Sequence, residues 1–303
     1  MRRDIKSILS VAAIAASLTV GAGTGRADTA DLKACRGAAQ QDAKIDCYTH
    51  ILDDQDATPE NRAGAYSGRS MAFDSKGEYE RAIADAANAL EINPEYQRAY
   101  FARGSAYHHK GEADLAIADY DRAIAIAPRD ADSLINRAIL YDRKGDHNGA
   151  IREFDAVLAM DSAKPLLSQI GHSLAYLNRG VAHLNRGEID DAIADAGKAI
   201  EFDPKFASAY NNRGIAYQRK GEFGPAFVDF DKAIELNPTH TFFYYTRGLA
   251  HRSKGEFGPA IVDFQKAVEL DSKYKAAQVE LGRTYVEAGK AVLSGVRNWI
   301  TGG

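Results

Sequence analysis

The residues of this chain that could do chemistry are two cysteines, eight histidines and a recurring arginine–acid pairing. Cys35 and Cys47 stand twelve residues apart, without the Cys-x-x-Cys spacing of a redox-catalytic pair. The histidines are scattered. His108-His109 is the only adjacent pair, and neighbours on a helix point about 100° apart, so they do not offer two ligands to one metal. Six arginines, Arg69, Arg103, Arg137, Arg179, Arg213 and Arg247, are each followed sixteen residues later by an acid: Asp85, Asp119, Glu153, Asp195, Asp229 and Asp263. An arginine that already has a carboxylate acceptor reads as part of an ion-pair ladder, within a hairpin or between neighbours, rather than as a site for an acidic ligand. The chain has no phosphate-binding glycine loop, no Gly-x-Ser-x-Gly and no His-Glu-x-x-His. It is expected to be non-catalytic, with no cofactor and no metal.

The elements that position these residues follow from a repeat. Gly77, Gly111, Gly145, Gly187, Gly221 and Gly255 are separated by 34, 34, 42, 34 and 34 residues, each preceded by Lys or Arg, and Gly289 follows 34 later. Apolar and small residues recur at three- and four-residue spacing on both sides of each glycine, which predicts two helices around a glycine-terminated turn. Pro225 and Pro259 fall in the first turn of a second helix, where a missing N–H costs nothing. Gly104, Gly180, Gly214 and Gly248 lie mid-helix, at a cost of about 1 kcal/mol each relative to alanine. That cost predicts close helix contact, with Ala116, Ala192, Ala226 and Ala260, twelve residues on, as the small counterparts.

The unit 97–130 resembles the tetratricopeptide repeat: Tyr100, Gly104, Tyr107, Gly111, Ala116, Tyr120, Ala123 and Pro128 occupy the family's signature positions. The resemblance implies an all-α, right-handed superhelical solenoid of antiparallel hairpins. Its units are read as a degenerate capping hairpin (28–62), repeats at 63–96, 97–130 and 131–164, an insertion at 165–172, repeats at 173–206, 207–240 and 241–274, and a partial repeat with a cap at 275–303. The arginine row departs from the family, which usually has leucine there. The resemblance also implies a peptide-binding groove lined by first helices: Phe101, Ile135, Leu177, Asn211 and Tyr245 in one row, Ser105, Ile139, Val181, Ile215 and Leu249 in the next, and His108, Gln218 and Arg252 at the margin. Some family members grip a terminal carboxylate with lysine and asparagine. Here Asn211 and Asn212 are present, but no lysine stands at the required groove positions.

Both ends differ from the repeats. Residues 1–27 read as a signal peptide, with Arg2, Arg3 and Lys6 before an apolar run too short for a stable anchor. Without these residues the formal charge falls from −4 to −7, which argues against nucleic acid as a partner. Export, periplasmic in a Gram-negative source, supplies an oxidising compartment. Cys35 and Cys47 match the spacing of close-contact positions in a hairpin, so a disulfide is expected. Leu293, Val296 and Ile300, with Trp299 beside them, read as a carboxy-terminal cap, with docking of a partner as the alternative. The expected function is a protein- or peptide-binding scaffold, with no stable membrane insertion after signal cleavage. The alternative is an accessory subunit of an envelope enzyme or secretion complex.

Overall fold

The computed structural model describes residues 30–163 and 169–301, with side chains described over 31–160 and 171–290. The signal segment and residues 165–168 of the insertion lie outside the described residues, as do the side chains of Leu293, Val296, Trp299 and Ile300; residues 169–172 of the insertion belong to a helix. The described residues are all-α, with no strand, and the chain divides into two compact units.

The first unit holds α1 (Ala30–Gly37), α2 (Gln41–Asp53), α3 (Pro59–Ser75), α4 (Tyr79–Ile92), α5 (Gln97–Lys110), α6 (Ala113–Ile126), α7 (Ala131–Lys144) and α8 (His147–Ala163). Each helix packs on the next, and α3, α5 and α7 also touch one another in order. The second unit repeats the plan with α9 (Gln169–Arg186), α10 (Ile189–Phe202), α11 (Ala207–Lys220), α12 (Phe223–Leu236), α13 (Thr241–Ser253), α14 (Phe257–Leu270) and α15 (Lys275–Thr301).

Each turn is built the same way. Gly111 takes φ +92°, a left-handed backbone that glycine adopts without a Cβ penalty. Its N–H donates to the His108 carbonyl, and that of Glu112 donates to the Tyr107 carbonyl, so the last orphan carbonyls of α5 are satisfied. The same bonds recur around Gly145, Gly187 and Gly221. An acid always follows the glycine, at the positive end of the next helix. At most turns it also meets the preceding cation, as in Lys110–Glu112 (2.6 Å), Arg186–Glu188 (2.8 Å), Lys220–Glu222 (3.0 Å) and Lys254–Glu256 (2.5 Å), whereas Asp146 accepts from the Gly149 N–H.

Gly289 is the exception, and the reading of it as a seventh turn is corrected. It lies inside the uninterrupted helix α15. The physical reason is its neighbours: Ala288 replaces the cation and Lys290 the acid, so nothing favours starting a new helix there, and good helix formers continue.

The first unit begins with a staple. Cys35 and Cys47 form a disulfide, Cα–Cα 5.4 Å, joining α1 to α2. Cys35 is buried with Leu32, Tyr48 and Ala65. The eight-residue α1 has too few contacts to hold itself. Reduction is expected to cost this corner about 2–3 kcal/mol, the scale for a short closed loop. Hydrogen exchange should accelerate in α1 and α2 under reductant and stay unchanged in α5 to α8. Equal protection with and without the bond would refute the stapling role.

Candidate functional site

The arginine row is engaged inside each hairpin. Arg103 Nε and Nη2 both donate to the Asp119 carboxylate at 2.8 Å. Arg69–Asp85, Arg179–Asp195, Arg213–Asp229 and Arg247–Asp263 repeat the two-bond fork at 2.6–2.9 Å. The aspartates are buried, and each arginine lies within 5.3–5.9 Å of a tyrosine ring three residues earlier: Tyr66, Tyr100, Tyr176, Tyr210 or Tyr244. Arg137 differs because its acid is the longer Glu153. It makes one bond there (2.7 Å) and a second to Asp121 of the preceding hairpin (2.5 Å). Arg247 likewise reaches back to Asp231 at 2.5 Å. The second acid and the tyrosine shelf were not part of the sequence expectation. The ring three residues before recurs at every arginine but Arg137, whereas the acid sixteen residues before is absent at Arg103, Arg179 and Arg213, where Ala87, Ala163 and Gly197 stand.

The expected groove residues separate by burial. In the first unit Ile135 and Ile139 are buried, while Phe101, Ser105 and His108 are half-buried. In the second, Leu177, Val181, Asn211, Ile215 and Tyr245 are buried, while Gln218, Leu249 and Arg252 are half-buried. The apolar stripe is therefore largely packing inside the array. Leu177 lies in a core cluster with Ala199 and Ala209. The Tyr245 ring sits 5.9 Å from Phe264 and 5.3 Å from Tyr274. The Asn211 oxygen accepts from the buried Thr246 hydroxyl at 2.6 Å. What stays accessible is the outer margin, which is more polar than the stripe.

That margin carries a polar cluster in the first unit. The Ser105 hydroxyl donates to Asp74 at 2.7 Å, and His109 Nδ1 pairs with the same carboxylate at 2.8 Å. Arg143 lies 2.8 Å from His108 Nε2, and His108 is pushed down to about 4, chiefly by burial, so it accepts as neutral imidazole. His109 moves the other way, raised chiefly by its bond to Asp74. Serine, aspartate and histidine thus meet, but with the carboxylate in the middle. A triad needs the imidazole between hydroxyl and carboxylate, and here Ser105 meets the carboxylate instead of the imidazole.

Among the described residues, His183, Glu188 and Asp191 bring three possible metal-ligand atoms within 4.8 Å of one another. Glu188 is already held by His183 Nδ1 (2.7 Å) and Arg186 (2.8 Å). The His251–Glu256 contact repeats the first bond at 2.7 Å at another helix end, so the pair is part of the turn.

Beneath this margin lies a misfit. Tyr120 is fully buried, and its hydroxyl has no hydrogen-bond partner among the described residues. Phe154, Phe230 and Phe264 fill the corresponding places in other hairpins. Tyr120→Phe is expected to stabilise the first unit by about 1 kcal/mol, by removing an unpaired polar atom at nearly constant volume. A lowered urea midpoint for the variant would show that the hydroxyl is satisfied.

The family follows from the hairpins. Tetratricopeptide-repeat family models match residues 68–131, 119–152, 180–221, 207–240 and 243–274, together more than half of the chain. This is a tetratricopeptide-repeat protein. Such proteins are protein-binding scaffolds and typically non-catalytic. No curated protein sequence matches the chain. The tetratricopeptide fold is shared with solved structures. A tetratricopeptide repeat protein from Parabacteroides merdae has 20% identity and a TM-score of 0.64, over 81% of this chain and 92% of its own. PilW, a type IV pilus biogenesis factor, has 19% identity and a TM-score of 0.64, over 72% and 98%. The pilF protein of Pseudomonas aeruginosa has 17% identity and a TM-score of 0.61, over 74% and 99%. No described helix of this tetratricopeptide-repeat protein is long and apolar enough to cross a membrane.

Proposed function

We propose that this protein is a non-catalytic scaffold of an extracytoplasmic compartment that holds a polypeptide segment along the first helices of its hairpins. The observation carrying this reading is the division of those helices. In each unit the inner row and the arginine row are consumed by internal packing and ion pairs, and Arg252 is bound to Glu280, while the outer margin keeps partly accessible side chains: Ser105 and His108 in one unit, Gln218 and Leu249 in the other. Such a margin suits an extended or helical segment read by mixed polar and apolar contacts. The Cys35–Cys47 disulfide supports an oxidising compartment.

A photo-crosslinking amino acid placed at Leu249 or His108 tests the reading in cells of the source organism. Val228, 69% exposed on a second helix, is the control position. Discrete adducts with one polypeptide from Leu249 or His108, absent from Val228, are expected. Adducts from Val228 alone would place the binding surface elsewhere. Fractionation of the same cells tests the compartment.

A further inference from the structure

The helix α15 is built as the first helix of a hairpin, but among the described residues no second helix covers it. It packs on α13 and α14 through Ala277, Glu280 and Thr284, which are buried. Over 275–290, where its side chains are described, its other face is open. Val279, which corresponds to the buried Leu177, Asn211 and Tyr245, is 50% exposed, and Val286 is 57% exposed. Gly282 corresponds to Gly214 and Gly248, where an added Cβ would meet the second helix's phenylalanine at 2.8 Å. At Gly282 and Gly289 an added Cβ meets nothing within 4 Å.

The open face has a defined spacing and charge. Val279, Gly282, Val286 and Gly289 alternate steps of three and four, and Leu293, Val296 and Ile300 continue the same steps in the sequence. This is the seam a helix presents to one other helix. One margin carries Arg283 and Lys290 at a seven-residue interval, with Arg297 next in sequence; Arg283 is bonded to Glu280 at 2.8 Å, but its side chain stays 59% exposed while Glu280 is buried beneath it. The other carries the uncharged Gln278 and Tyr285. The arginine that pairs with a buried acid in the repeats is replaced by Leu281, so no buried carboxylate is called for.

We propose that α15 is a docking site for an amphipathic helix of another protein, with an apolar stripe and an acidic margin, which packs where a second helix lies in the repeats. A second copy of this chain fits less well, because its α15 offers no carboxylate at either margin of the seam. The inference is independent of the groove reading, since it concerns the face that the repeats cover internally.

The probe is a fluorescein-labelled peptide of three heptads, with leucine at both seam positions and glutamate at both flanking positions. A peptide with lysine at the flanking positions is its counterpart. Saturable anisotropy at low salt is expected for the glutamate peptide, about tenfold or more weaker for the lysine peptide and for Val286→Lys. Val286 is exposed, so the variant should melt like the parent. No saturable binding, equal binding of the two peptides, or unchanged binding by Val286→Lys would overturn the proposal. So would a dimer of the chain alone that Val286→Lys splits, which would make the occupant a second copy.

Discussion

Replacing Arg247 with leucine is expected to destabilise the α13–α14 hairpin by about 3–5 kcal/mol, the cost of leaving a buried charge without its partner. Asp263 is 2% exposed, and both its oxygens accept from Arg247. Among the described residues the next cationic group is His251, whose Nε2 stands 4.0 Å away, beyond hydrogen-bond reach. Asp263→Leu should cost less, because Arg247 is partly solvated and keeps Asp231 at 2.5 Å. The double variant Arg247→Leu, Asp263→Leu should recover most of the loss, since an apolar pair of similar volume removes both desolvation costs. Hairpins in an array contact only their neighbours, so the effect should be local. Hydrogen exchange in α13 and α14 is the direct readout, supported by the urea midpoint. A double variant as weak as Arg247→Leu alone would mean the rung contributes specific hydrogen bonding that packing cannot replace.

That rung shows how far the sequence could be read. A sixteen-residue interval between arginine and acid, in phase with a 34-residue glycine period, points to two helices meeting side by side. The fork geometry then follows from aspartate's short reach, and Glu153 breaks it by one methylene. The groove was less legible. Positions such as Leu177 and Tyr245 were assigned from the resemblance to a surface, but one sequence cannot distinguish an apolar residue facing a ligand from one facing the next hairpin. The structure buries both. The turn glycines were legible because a cation and an acid flank each of them. Gly289 misled because the 34-residue interval holds there while its flanking charges do not. Asp74 escaped notice as a functional residue because its partners, Ser105 and His109, lie 31 and 35 residues away, with no local spacing to announce them.

The mid-helix glycines lead to the other large effect, a size-swap between Gly214 and Phe230. An added Cβ at Gly214 would stand 2.8 Å from a Phe230 ring carbon and 3.1 Å from the Ala226 carbonyl. Ala226 was the expected small counterpart, and its backbone is indeed there. The tighter contact is the ring sixteen residues on, so Arg213-Gly214 on one helix meets Asp229-Phe230 on the other as two adjacent locks. Phe230→Ala should cost about 3–5 kcal/mol through the cavity it leaves. Gly214→Ala should cost about 1–3 kcal/mol by overpacking, offset by about 1 kcal/mol of helix propensity. In the double variant the new methyl has room on the ring side, so the two losses should fall short of additivity by about 1 kcal/mol or more. The remaining clash with the Ala226 carbonyl keeps the rescue partial, because backbone moves less readily than a ring. Strict additivity in a denaturation cycle would mean that the glycine is set by backbone approach alone. The ring's presence at Tyr120, Phe230 and Phe264, over Gly104, Gly214 and Gly248, would then be coincident filling of space rather than the reason these hairpins require glycine.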